Sequence, residues 1–327
     1  MELSKARLCA LVLLTTFVGF LLGSQAGIDW RLAISALLGT AFSAFGINAV
    51  NQCMEADRDA RMIRTRGRPL PAGLISRRAG WMFGISLAAA GALLLALTVN
   101  LLTAALALAC QLIYVLIYTP LKVRSSLNTL VGAICGAIPP MMGWTAATGR
   151  LDAGAWVLGA ILFVWQVPHF LSLAWMYRED YARGGFRMLP TFDGTGQATC
   201  QAVLLYSLVL IPVTLMLTVV GITGWVYAAG ALVLGGLLSA LGLRLYRERG
   251  VGSARRVFLA SVVYLPLLLG LMVTDRASSR DVAALRRPVA SAHWEVAAAV
   301  VPDAVSTLRV SRFIVTADVP VGRRAAG

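Results

Sequence analysis

The sequence predicts an all-α protein, a polytopic membrane bundle of about nine transmembrane helices. Three observations carry that expectation. Of 327 residues, 58% are hydrophobic and 13% charged, with a mean hydropathy of +0.77, whereas soluble domains carry about 25% charged residues. Apolar runs of the length a helix needs to cross a bilayer, about 20 residues, recur at 8–25, 32–54, 79–98, 101–118, 128–147, 155–176, 201–221, 224–245 and 257–274. Basic residues gather in alternate connections between those runs, which is how cytoplasmic loops are marked.

Each run has its own signals. The first has the apolar core of a signal peptide, but no small-residue cleavage site follows it and further spans do, so it is expected as a retained first helix. The second ends in the polar stretch Asn51 to Asp59. Runs three and four are parted only by Asn100 and its neighbours, and runs seven and eight by Gly221 to Trp225, so both pairs read as tight helical hairpins. Glycine and alanine are plentiful in the spans and permit close helix contact.

Lys5 and Arg7, Arg58 to Arg78, Lys122 with Arg124, Arg178 to Arg187, and Arg244 to Arg256 all fall on one face when nine spans are threaded. The connections at 26–31, 99–100, 148–154 and 222–223 carry few charges. The charged face, with the N-terminus, is expected to be cytoplasmic. With no transit peptide apparent, the inner (plasma) membrane of a bacterial cell is the expected location. Residues 1–275 form one intramembrane domain in this reading. Residues 276–327 are a polar, arginine-rich tail, expected to be mostly disordered and dispensable for chemistry, with strand-like alternation from Leu308 to Val315.

The net charge of +14 does not signal nucleic acid, because the basic residues form short clusters rather than one continuous face. Cys9, Cys53, Cys110, Cys135 and Cys200 make no CxxC pair, so neither zinc nor covalent heme attachment is signalled, and they read as small buried hydrophobes.

The chemistry concentrates at the ends of spans. Asn51, Glu55 and Asp59 lie at i, i+4 and i+8, one face of a helix. Oxygen donors without histidine suit a hard cation such as Mg2+, which takes one or two carboxylates and completes its shell with water and phosphate. Asp57 points elsewhere and is expected to orient Arg58 or a loop arginine. Arg61, Arg64, Arg66 and Arg68 follow, closed by Pro69. Simple membrane anchoring would explain some of them. The ordered run from Arg64 to Leu70 suits the holding of phosphate oxygens and the charge that grows on a departing diphosphate, with Arg64 and Arg68 the main candidates.

A second acidic site follows the sixth span at Glu179 and Asp180, on the same face as Glu55 and Asp59, and Asp180 is the candidate ligand for a second metal ion. Arg187 lies just beyond it. His169 sits within the span beside Pro168, which is expected to kink the helix and widen a cavity. A histidine there either satisfies a neighbouring helix or touches a substrate's metal or propionates. Lys122 and Arg124 read as membrane anchors on the charge rule alone. Asn128 is read mainly as a helix cap.

Taken together, Asn51 to Asp59 with Arg64 to Leu70, Tyr118-Thr119-Pro120-Leu121-Lys122, Asn128 to Ala133, Gly136 to Trp144 with Pro139-Pro140, and Trp165 to Pro190 resemble the UbiA-type intramembrane prenyltransferases. The Pro139-Pro140 and Trp165-to-Phe170 segments are similar to the heme-farnesylating branch. The likeness spans roughly residues 5–274. It implies a UbiA-type fold, Mg2+ as cofactor, farnesyl diphosphate and heme b as substrates, and heme o as product. It makes Asp59, Asp180, Arg64 and Lys122 the catalytic candidates. Arg68, Arg124, His169, Tyr118, Trp165 and Arg187 are then candidates for substrate contact, and Asn51, Glu55, Asp59 and Asp180 for the metal. In the mechanism it implies, Lys122 is the alternative holder of a phosphate and Arg124 of a propionate, and Tyr114, Tyr118 and Trp165 are candidate faces for the allylic cation. Heme A synthase or terminal oxidase assembly factors are the protein partners it points to. The chain departs from the family pattern at Glu55, where aspartate is usual, at Ala56, where a basic residue is usual, and at Gly67, where asparagine is usual. It also lacks a proline within Lys5-Ala6-Arg7. Prenylation of an aromatic quinone precursor, a secondary transporter and a purely structural subunit are the competing readings. The transporter fits poorly, because charges sit at one interface rather than at midspan.

Overall fold

Nine apolar helices account for most of the computed structural model, which describes residues 6–25 and 27–276. In chain order they are α1 (Ala6–Gly23), α2 (Trp30–Asp59), α3 (Arg77–Thr98), α4 (Leu101–Leu112) with its continuation, α6 (Asn128–Thr148), α7 (Ala153–Met176), α10 (Gln197–Val219), α11 (Trp225–Glu248) and α12 (Val251–Thr274). The continuation of α4 is a π-helical segment, Ile113–Tyr118, and the short α5 (Thr119–Leu121). Two further short helices, α8 (Arg178–Arg183) and α9 (Leu189–Phe192), lie between α7 and α10. Among the described residues eight helices are long and apolar enough to cross a membrane, and α1 supplies a shorter apolar helix, Leu8–Gly23. The chain is a multi-pass membrane protein, and the expected count of about nine holds. The tail expected over 276–327, with its strand-like piece at Leu308 to Val315, lies outside the described residues except for Arg276.

Polar side chains set several helix starts. Ser76 accepts from the Ala79 amide, Asn100 from Thr103 and Asp152 from Gly154, each satisfying a donor that the first turn leaves open. Asn128 does otherwise than expected. Its Nδ2 donates to the carbonyls of Ser125 (2.6 Å) and Arg187 (2.9 Å), so it ties two loops together instead of accepting at a helix start.

Small residues let helices close up where the apolar effect gives no drive in lipid. Along the α2–α3 seam, a Cβ added at Gly46 would strike the Ala88 backbone, and one at Gly91 would strike Ser43. Between α1 and α6, added Cβ atoms at Gly19 and Gly143 would meet the Pro140 and Thr16 carbonyls. The largest buried cluster joins α6, α7, α10, α11 and α12 through residues such as Trp144, Leu158, Leu210, Leu238 and Leu265.

The basic connections interlock at one end of the bundle. Asp180 accepts from the Ile63 and Arg64 amides, the Arg187 amide donates to the Lys122 carbonyl, and Trp175 Nε1 donates to the Arg249 carbonyl. At the opposite end Asn100 Nδ2 donates to the Thr145 carbonyl, while Asp275 Oδ2 accepts from the Tyr227 amide and Arg276 reaches the Leu21 carbonyl.

Candidate functional site

The α2 helix is 30 residues long, about 45 Å at 1.5 Å per residue, and outruns a hydrocarbon core of about 30 Å. Its last turns therefore carry Asn51, Glu55 and Asp59 to the membrane boundary in unbroken helical spacing. All three side chains are buried. Asp59 pairs with Arg68 at 2.6 Å (Oδ2–Nη1), and its carbonyl accepts from the Thr65 hydroxyl at 2.9 Å, which folds the connecting loop back over the helix end. Glu55 pairs with Lys122 at 2.7 Å. Asp57, on the outer face, pairs with Arg77, so a basic residue just past the loop takes the role expected of Arg58 or a loop arginine.

Lys122 is placed by the wider turn of the π-helical segment. Pro120 has no amide hydrogen, and the Thr119 amide and hydroxyl both reach back to the Tyr114 carbonyl, the hydroxyl at 2.8 Å. The Tyr114 and Tyr118 rings lie 5.0 Å apart, and the Lys122 ammonium sits 4.5 Å over the Tyr118 ring. Burial alone would depress the Lys122 pKa. The Glu55 carboxylate and the Tyr118 and Tyr114 phenols outweigh it and hold the ammonium above its ordinary range.

These groups face one cavity of about 400 Å3, within the range of small-molecule sites. Glu55, Asp59, Arg64, Arg68 and Lys122 line its charged end, with the Tyr114, Tyr118 and Tyr181 rings, and Val12, Ala107 and Met142 are among its apolar lining. His169 lines it too. Three cations thus face two carboxylates, a balance that favours an anion. The donors fit Mg2+: two hard carboxylates one turn apart, the number this ion takes from protein before water and phosphate complete its shell. Among the described residues no group of three or more His, Cys, Asp or Glu side chains gathers in a metal-holding cluster.

Asp180 lies at the same end but lines a separate hollow, with Ile63, Arg64 and Trp175. Its oxygens accept from the Ile63 amide (2.9 Å), the Arg64 amide (3.3 Å) and Arg183 (2.9 Å). Burial would raise its pKa; the Arg183 bond and the two amides outweigh that and hold it below the usual carboxylate range. In this geometry Asp180 pins the arginine loop to α8. Arg64 is steered in turn by aromatic faces, 5.5 Å from the Tyr177 centroid and 5.7 Å from that of Tyr181.

Other predicted site residues lie off the cavity. Asn51 Nδ2 donates to Thr119 Oγ1 at 3.0 Å, bracing α2 against α5. Arg124 is exposed, and Arg187 is exposed over the Phe192 ring. Trp165 is buried behind His169, its Nε1 on the Ser261 carbonyl at 3.0 Å. The α7 helix runs unbroken through Pro168, with Gln166 and His169 of this stretch on the cavity wall. Sequence reasoning missed Asn48, Gln111, Gln166 and Tyr181 as lining residues. Asn48 had a signal, since it stands seven residues before Glu55 on the same helical face; Tyr181 had none beyond its neighbours.

Comparison with known proteins bears on the family and the fold. Residues 12–265 match the model of the UbiA prenyltransferase family. The chain is 42% identical to "Protoheme IX farnesyltransferase" of Solibacter usitatus, over 84% of this chain and 97% of that one. It is 44% identical to the mitochondrial protein of that name from Homo sapiens, over 85% of this chain and 62% of that one. Among solved structures, a digeranylgeranylglyceryl phosphate synthase superposes with a TM-score of 0.71 at 17% identity, covering 84% of this chain and 96% of that one. A UbiA homologue from Archaeoglobus fulgidus bound to GPP and Mg2+ superposes with a TM-score of 0.60 at 17% identity, covering 84% and 98%. At those identities the structures speak to fold alone.

Proposed function

This chain belongs to the UbiA prenyltransferase family, and from that premise we propose that it transfers the farnesyl group of farnesyl diphosphate to a vinyl group of heme b, releasing diphosphate and giving heme o. The observation that carries the proposal is the single cavity with paired carboxylates and three cations at one end and an apolar interior. The relatives named as protoheme IX farnesyltransferases support the choice of acceptor.

Glu55 and Asp59 would hold Mg2+, which neutralises the diphosphate and so eases its departure. Arg68 and Lys122, which here pair with Asp59 and Glu55, would bind phosphate oxygens of the bound diphosphate. Arg64, held between two tyrosines, completes the cationic wall. Tyr114 and Tyr118 line the path of the allylic cation. The apolar lining keeps water from that cation until the terminal vinyl carbon bonds to it; one water then adds to the cation left beside the porphyrin ring and loses a proton, giving the hydroxyl group. No protein nucleophile is needed. The reaction end faces the cytoplasm in this reading, because it carries the basic loops. Heme A synthase and oxidase assembly factors remain proposed partners on the family resemblance.

Purified protein given farnesyl diphosphate, heme b and Mg2+ should yield heme o by mass spectrometry. Absence of that product beside an active control enzyme would refute the assignment.

A further inference from the structure

We propose that Ser261 of α12 locks His169 in the tautomer protonated on Nδ1, leaving a bare Nε2 at the cavity wall as an axial ligand for the iron of the heme acceptor. The proposal rests on the heme reading above. His169 Nδ1 lies 2.9 Å from Ser261 Oγ, and Ser261 Oγ lies 2.7 Å from the Phe258 carbonyl. A carbonyl oxygen only accepts, so the one hydroxyl hydrogen of Ser261 points to Phe258. Its oxygen can then only accept from the imidazole, and Nδ1 must carry the hydrogen. In a neutral imidazole Nε2 then keeps its lone pair.

The ring cannot easily swing out of this setting. It stacks between Trp165, centroid 4.9 Å and 20° from parallel, and Phe258, 4.9 Å and 30°. Trp165 is itself tied to Ser261, its indole N–H on the Ser261 carbonyl. One serine thus fixes both the imidazole and the face it stacks on. His169 lines the cavity, whereas Trp165 and Ser261 do not, and the proposal puts Nε2, the ring nitrogen turned away from Ser261, on the cavity side.

A bare nitrogen chooses among ligands. It has no hydrogen for an ionised propionate, so contact with that end of the porphyrin is disfavoured; a metal with an open position is what it matches. Histidine ligands commonly have the other ring nitrogen held by an outer acceptor, which fixes tautomer and orientation, and Ser261 supplies that acceptor here. Ser261 is therefore a positioning residue, and His169 the group that touches substrate.

The test adds hemin to the purified full-length protein and reads the reduced complex by resonance Raman for an iron–imidazole stretch. The wild type should show the band; His169→Ala should lose it and regain it with added imidazole. Ser261→Ala should shift the band and weaken heme binding about tenfold, and Ser261→Thr, which keeps the hydroxyl, should restore both. Identical spectra for wild type and His169→Ala would overturn the proposal, as would a Ser261→Ala spectrum and affinity unchanged from wild type. Heme o formation by the same wild-type sample separates the two readings. Product without the band removes the ligand proposal alone, whereas the band without product supports the ligand and removes the prenyl-transfer reading.

Discussion

Glu55 and Asp59 each rest on a cation, and that arrangement makes stability and catalysis separable at single positions. Asp59→Asn keeps a similar shape but removes the charge a metal needs, and should lower turnover by about 100-fold or more with expression unchanged. Lys122→Met removes the ammonium that pairs with the Glu55 carboxylate, only 7% exposed, and should cost about 3 kcal/mol of stability. The double variant Glu55→Gln/Lys122→Met should recover most of that stability in a thermal unfolding assay and none of the activity. Asp180 asks for a different test. Its pKa is depressed in the fold, so its clamp on the Ile63 and Arg64 amides is fully present above the ordinary carboxylate pKa, about 3.9. The clamp is lost as pH falls through the lower folded value. Hydrogen exchange at those two amides should stay slow from neutral pH into mild acid and quicken only at more acid pH, while Asp180→Ala should quicken it at every pH. The spacing of Asn51, Glu55 and Asp59 could be read from sequence because i, i+4 geometry is local. The partners of Asp180 could not, because they are backbone amides more than a hundred residues away.

Helices show the same division between local and distant causes. Their number and rough limits were legible, since hydropathy over a membrane's width depends on little else. The π-helical segment at Ile113–Tyr118 was not, because it arises where Pro120 cannot donate and Thr119 reaches back to Tyr114. That segment sets where Tyr118 and Lys122 stand. Pro120→Ala, which restores an ordinary donor, should move Lys122 off Glu55 and depress turnover more than it depresses stability, as activity and melting curves would show. The α2–α3 seam makes the converse prediction. Gly46→Leu would drive a side chain into the Ala88 backbone and should destabilise by about 3 kcal/mol, with activity falling only as folded protein falls.

Across the whole molecule, the charge pattern foretold one crowded end, and the hydrogen bonds among residues 59–65, 122, 175–187 and 249 tie that end together. What sequence left open was which charged residues share the cavity. Arg124 and Arg187 obey the charge rule as well as Lys122 does, yet only Lys122 turns inward. A cysteine placed at Gly67 should react with a membrane-impermeant maleimide only when the cytoplasmic face is exposed, and one placed at Arg150 only from the other side. The most direct measurement is a cryo-EM structure of the protein with Mg2+ and a non-hydrolysable farnesyl thiolodiphosphate. The proposed site calls for metal density between the Glu55 and Asp59 carboxylates and the diphosphate, with Arg68 and Lys122 turned onto phosphate oxygens. Diphosphate bound elsewhere, with the Glu55–Lys122 and Asp59–Arg68 pairs intact, would contradict it.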